Sequence, residues 1–159
     1  MDLAAVALRL EIEDLYTAYA ATLDDGELEA WPDFFTEECT YQVVPRDNFD
    51  KGLPLAVIRC ESRGMLCDRV TAVRETTMFE PRYLRHLISN VRVVGESEGA
   101  WETRANYAVF ETLSDEYTRV FNVGRYLDRL VREDGQLRFT EKICVYDSVL
   151  VPNSIVYPI

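Results

Sequence analysis

The chain has 159 residues, 48% hydrophobic and 28% charged, a balance typical of a globular protein long enough to bury a sizeable core as a single domain, 1–159. A formal net charge of −11 and an isoelectric point near 4.6 exclude partners that select a basic patch, so neither nucleic acid nor an anionic membrane surface is expected. No window approaches about 18 consecutive apolar residues and no basic region precedes an apolar run at the N-terminus, which leads us to expect a cytoplasmic protein.

Leu8, Ile12, Leu15, Tyr16, Tyr19 and Leu23 recur at helical spacing with Arg9, Glu11, Glu13 and Asp14 between them, predicting an amphipathic helix ended by Asp24-Asp25-Gly26. Glu27 to Phe35 reads as a short helical piece interrupted by Pro32, beside which Trp31, Phe34 and Phe35 form an aromatic knot suited to plugging a core or stacking on a ligand. Thr40 to Val44 is a short strand stopped by Pro45, and Arg46 to Lys51 is a polar loop. A second strand is expected within Leu53 to Cys60, at an edge because of Pro54. Ser62 can cap a helix with Met65, Leu66, Arg69, Val70 and Val73 in period, and Glu75 to Arg85 runs on as a loop.

From His86 the pattern changes to strand. Residues 86–94 end at Gly95, and after a turn Trp101, Thr103, Ala105, Tyr107 and Val109 alternate. Phe121 to Asp147 reads as a long hairpin turning at Asp134-Gly135, its apolar face made of Phe121, Val123, Leu127 and Val131, then Leu137, Phe139, Ile143 and Val145. A two-residue turn would set Asp128 opposite Glu141. A slightly longer loop sets Arg129 opposite Glu141, Asp128 opposite Lys142 and Leu127 opposite Ile143, and is preferred because each cross-strand pair contributes about 0.2–1 kcal/mol and like charges subtract. Helices followed by a meander of long strands make an α+β fold with an antiparallel sheet. The apolar tail from Val149 to Ile159, with Val151, Pro152 and Tyr157, should dock on this sheet or on a neighbouring subunit.

Cys39, Cys60, Cys67 and Cys144 show no CxxC spacing and His86 is the one histidine, so no zinc or iron–sulfur site is expected, and four buried reduced thiols are. Carboxylate pairs fall at turns without a calcium-loop pattern, and the glycines form no phosphate loop. His86 could act as a base if Asp14, Tyr16 or Tyr41 converged on it in a cavity beneath the sheet, or it could serve as a structural hydrogen-bond partner. Outward-facing Arg125, Tyr126 and Arg129 on the hairpin are candidates for a protein contact.

Four stretches, LYTAYAATLDDGELEAWPDFFTEECTYQV at 15–43, ESRGMLCDRVTAVRE at 61–75, RYLRHLISNVRV at 82–93 and VGRYLDRLVREDGQLRFTEKICVYDS at 123–148, together span nearly the whole chain. In these the chain resembles the β (small) subunits of aromatic-ring-hydroxylating oxygenases, most of all those acting on carboxylated rings such as salicylate, anthranilate or terephthalate. The resemblance implies an NTF2-like or cystatin-like cone, with helices packed across a strongly curved antiparallel (mixed) sheet. It also implies an α3β3 hexamer whose α subunit carries a Rieske [2Fe–2S] cluster and a mononuclear Fe(II). This chain, with one histidine, would hold no cofactor and contribute no catalytic residue. The same fold is similar to that of small isomerases, dehydratases and cyclases, in which His86, Asp14, Tyr16 and Tyr41 would be the acid–base set, and to that of binding proteins with an apolar cone.

Overall fold

The computed structural model describes residues 2–76, 81–150 and 155–159. Helix α1 (Leu3–Asp24) begins where the Asp2 carboxylate accepts from the Ala4 amide at 3.0 Å, and buries Ile12, Tyr16, Tyr19 and Leu23, the periodic face predicted from sequence. A 3₁₀ segment, Leu28–Phe34, carries Pro32 and delivers Trp31 to the core. There Trp31 meets Tyr41 edge-on at 5.0 Å and Phe35 at 5.7 Å, so the aromatic knot is a core plug. Strand β1 (Phe35–Pro45) starts earlier than expected, and Arg46–Asp50, expected as a loop, forms the short helix α2. Strand β2 (Ile58–Cys60) is followed by α3 (Arg63–Glu75), capped by Ser62, whose hydroxyl accepts from the Met65 amide.

Four long strands complete the chain: β3 (Arg82–Ser97), β4 (Ala100–Leu113), β5 (Arg119–Glu133) and β6 (Gln136–Tyr146). The sheet order is β2-β1-β6-β5-β4-β3, antiparallel except for the parallel β1–β6 pair. The strongly curved cone implied by resemblance is not what forms. The sheet is open rather than closed or strongly curled, with β2 and β3 as separate edges, and β2 is only 3 residues long. Its helix-covered face is filled by Tyr16, Tyr19, Trp31, Phe35, Tyr41, Tyr126 and Phe139.

The β5–β6 hairpin has the expected pairs, Arg129 with Glu141, Asp128 with Lys142 and Leu127 with Ile143, but reaches them differently. Glu133 pairs with Gln136 across a two-residue turn in which Asp134 and Gly135 both have positive φ, as a type I′ turn needs. The extra residue lies in the strand: Arg129 opposes Glu141 and Leu130 opposes Phe139, leaving Thr140 as a bulge whose hydroxyl donates to the Arg129 carbonyl at 3.2 Å. Consequently Leu137 and Phe139 face the core before the bulge, and Lys142, Cys144 and Tyr146 after it. On β5 the buried series is Tyr126, Asp128 and Leu130, so the expected inner face of Leu127, Ile143 and Val123 is the outer one. On β6 the bulge turns Ile143 outward and Lys142 inward; on β5 a second break, at Phe121 between the Asn122–Val109 and Val120–Phe110 pairs, sets Val123 and Leu127 outward and Asp128 inward. At Gly124 the two strands come so close that a Cβ would stand 2.0 Å from the Val145 carbonyl oxygen.

Candidate functional site

His86 lies on the covered face of β3 with its side chain fully buried. Its Nδ1 is 2.6 Å from Asp24 Oδ1, and its backbone amide donates to the same carboxylate at 2.9–3.0 Å, which ties the C-terminal end of α1 to the sheet. Nε2 is buried without a hydrogen-bond partner. Beside the dyad a cavity of about 720 Å³ runs between α1 and β3, past Arg9, Glu13, Thr17 and Asn90. The carboxylate predicted to orient His86 was Asp14, which instead is exposed and lines a groove on the other side of α1 with Glu11, Leu15, Phe34 and Leu137. Asp24 was read as a solvated turn. A carboxylate at a helix C-terminus opposes the macrodipole, and that mismatch was the available signal that something else holds it.

Tyr16 faces a different set of groups. Its hydroxyl donates to Asp128 Oδ2 at 2.5 Å and stands 3.0 Å from Thr103 Oγ1. Lys142 Nζ reaches the same carboxylate oxygen at 2.9 Å, and both charged side chains are fully buried. Four rings enclose the ammonium, with Nζ 3.4 Å from the Tyr126 centroid, 4.5 Å from Phe139, 4.7 Å from Tyr19 and 5.0 Å from Tyr16. Burial pushes the Asp128 carboxyl up, with Lys142 as the main opposing influence. Burial, then the nearby Asp128 charge, holds the Tyr16 phenol protonated far above neutrality.

Tyr41, the fourth predicted acid–base residue, clamps the tail. Its hydroxyl accepts from the Ile159 amide at 2.8 Å and donates to the Ile159 main-chain oxygen at 3.3 Å. Tyr19 and Cys144 point at the same oxygen from 2.8 and 3.3 Å. Thus His86 and Tyr16 line one cavity but are bound to different carboxylates, Asp24 and Asp128, while Asp14 and Tyr41 lie elsewhere. Among the described residues no group of three or more His, Cys, Asp or Glu side chains is placed to hold a metal ion. The four cysteines are free, but Cys67 is exposed, not buried as expected.

Of the contact candidates, Tyr126 is fully buried, because β5 turns its even-numbered residues inward. Arg125 and Arg129 are on the outer face as predicted, Arg125 stacking on Phe49 at 5.8 Å and Arg129 reaching Ser97 at 3.3 Å. Val151 and Pro152 lie outside the described residues, and Tyr157 is half-buried in the docked tail. Next to the arginines the outer face exposes an apolar row, Leu87, Ala108 and Val123, paired across three strands.

Residues 4–142 match the SnoaL-like domain family. Over 149 residues the chain is 38% identical to the small subunit of anthranilate 1,2-dioxygenase from Burkholderia cepacia, covering 94% of this chain and 92% of that one. This chain is a small (β) subunit of the aromatic-ring-hydroxylating dioxygenases. A β subunit of the terephthalate 1,2-dioxygenase terminal oxygenase from Comamonas is 33% identical to it over 94% of this chain and 97% of the relative. A solved structure from Novosphingobium aromaticivorans, named as a β subunit of such a dioxygenase, superposes with a TM-score of 0.88 at 39% identity, covering 99% of this small subunit and 100% of that chain. The interior of the small subunit is filled by its own side chains.

Proposed function

We propose that this small subunit supports assembly of the large oxygenase subunit, and that it docks through the bare outer face of its sheet. Its place among the small subunits carries the reading. It is non-catalytic within the oxygenase: its single histidine is bound to Asp24, and a Rieske centre or a two-histidine iron site needs more histidine than the chain has. The [2Fe–2S] cluster and mononuclear Fe(II) then reside in the large subunit, and three copies of each chain form an α3β3 hexamer in the cytoplasm. The two relatives named above act on anthranilate and terephthalate, which makes a carboxylated aromatic ring the favoured substrate class.

Charge supports the docking face. Arg104, Arg125 and Arg129 face outward from β4 and β5 around Leu127 and Val123, interleaved with Glu102 and Glu141, a mixed surface suited to a partly apolar partner with complementary charges. The test is affinity purification of the tagged small subunit co-expressed with its large subunit, with an iron assay and an absorption spectrum of the eluate. The expected result is equal amounts of the two chains with iron and a Rieske spectrum. Leu127→Asp with Arg129→Glu should cut recovery of the large subunit about tenfold or more while leaving the circular dichroism unchanged. Elution of the parent chain alone and free of iron would refute the assembly role; full recovery with the double variant would refute the docking face.

A further inference from the structure

Strand β3 leaves its ladder at Asn90 and Val91. Ser89 pairs with Asn106 and Arg92 with Arg104, so these two residues face Ala105 alone, two against one. Asn90 takes a φ of 56°, a left-handed conformation that asparagine tolerates, and Val91 turns in to pack against the core. Without the extra residue, alternation from the outward Ser89 would point Arg92 inward. The bulge instead sets Arg92 on the outer face directly opposite Arg104. Arg125 lies diagonally beyond Arg104 on β5, where it pairs with Asn106. Like charges directly opposite one another destabilise a sheet. Among the described residues neither Arg92 nor Arg104 makes an ion pair or a side-chain hydrogen bond that would offset this.

At the bulge a cavity of about 420 Å³ is lined by Arg9, Asn90, Arg92, Arg104, Asn106 and Arg125, and by no carboxylate. Arg9 gives its Nε to Glu13 at 2.9 Å. Arg125 is steadied by α2, its guanidinium standing over the Phe49 ring at 5.8 Å and its Nη2 3.8 Å from Asp50, yet its Nε is buried without a partner. We infer that this cavity binds a small multivalent oxyanion, such as free phosphate, through Arg92, Arg104 and Arg125. An oxyanion between them turns the opposed pair from a repulsion into a clamp. Guanidinium N–H groups match phosphate oxygens in geometry as well as in charge, and the ring contact holds one guanidinium in place beforehand. Asn90 and Asn106 bring carboxamides that can donate to the same oxygens. The site goes beyond the assembly role: it is complete within the small subunit, and it stands or falls apart from the docking face.

The test titrates inorganic phosphate into the purified full chain, by calorimetry and by thermal melting, with chloride at equal ionic strength as the reference. The expected result is one site with a dissociation constant of about 1 mM or tighter, and a melting temperature raised by about 3 °C at about 10 mM phosphate. Arg92→Gln/Arg104→Gln should weaken binding about tenfold or more. Arg59→Gln removes an arginine of β2 that is paired with Glu61 and lines no part of the cavity, and should leave binding unchanged. No binding by the parent at that concentration, or equal binding by the parent and the double variant, would overturn the proposal. So would an equal loss in Arg59→Gln, because overall charge and not a site would then be the cause. If the double variant does not fold, Arg92→Gln alone, a change at an exposed position of the edge strand, takes its place in the comparison.

Discussion

Replacing Lys142 with methionine removes the ammonium from its aromatic enclosure and leaves Asp128 buried without its cation. Methionine conserves most of the volume, so repacking should cost less than about 1.5 kcal/mol. The electrostatic loss is larger. Both side chains are fully buried, and stripping one partner from such a pair typically destabilises by about 3–5 kcal/mol. With a urea slope of about 2 kcal/mol/M, the unfolding midpoint at pH 7.5 should fall by about 2 M.

The deficit should also depend on pH. Burial pushes the Asp128 carboxyl up, and without Lys142 its main opposition is gone. The folded variant then keeps a proton on Asp128 to higher pH than the unfolded chain, whose value is about 3.9. The stability linked to that proton is complete below the unfolded value and is lost as pH rises through the folded one. Urea melts between pH 4 and 8 should therefore show the smallest deficit in acid. Lys142→Met/Asp128→Leu should recover most of the loss, because Tyr16 keeps Thr103 as a partner. A single variant within about 0.5 M of the parent at pH 7.5, or a double variant no more stable than the single, would refute the view that an uncompensated carboxylate is the cause.

Gly124→Ala should destabilise by about 3 kcal/mol, measured as a thermal shift, since its Cβ would fall 2.0 Å from the Val145 carbonyl and force β5 from β6; a shift of less than 1 °C would refute the close approach. Arg74 bonds Glu29 through Nε and Nη2 at 2.7 and 3.0 Å and holds its carboxyl down to about 2. Carboxyl NMR should find Glu29 titrating there, with Arg74→Gln returning it to the ordinary range. The stabilising part of this pair is present above the unfolded carboxylate value and is lost as pH falls through about 2.

Helix α1, the cap at Ser62 and the three cross-strand pairs of the long hairpin were legible because each rests on a local rule: periodicity, a side-chain acceptor, or opposite charges facing each other. The inner face of that hairpin was not. Its pattern was read in one phase from Leu137 to Val145, whereas Thr140 breaks the phase, and no residue type announces a bulge as glycine announces a turn. Tyr126 was misplaced by a second break, on β5 itself, where Phe121 is left unpaired between Val120 and Asn122 and the even-numbered residues that follow turn inward. Asp24 and Asp14 lie ten residues apart on one helix, and choosing between them required knowing which end of α1 crosses β3. The clamp on Ile159 joins positions more than a hundred residues apart, Tyr19 and Tyr41 among them, and left no local trace.

Thr140 shifts the count along the strand: before it the odd-numbered residues of β6 face the core, and after it the even-numbered ones do. Drawing that one residue into the ladder, a slip of one position, would set Glu141 opposite Asp128, carry Lys142 to the outer face and bring Ile143 in opposite Tyr126. The ammonium that fills the interior would leave, and Asp128 would face the interior with Tyr16 as its remaining hydrogen-bond donor. A slip of one position in the pairing, with no substitution at all, is thus the shortest step from a filled interior to one with an unpaired acid at its centre.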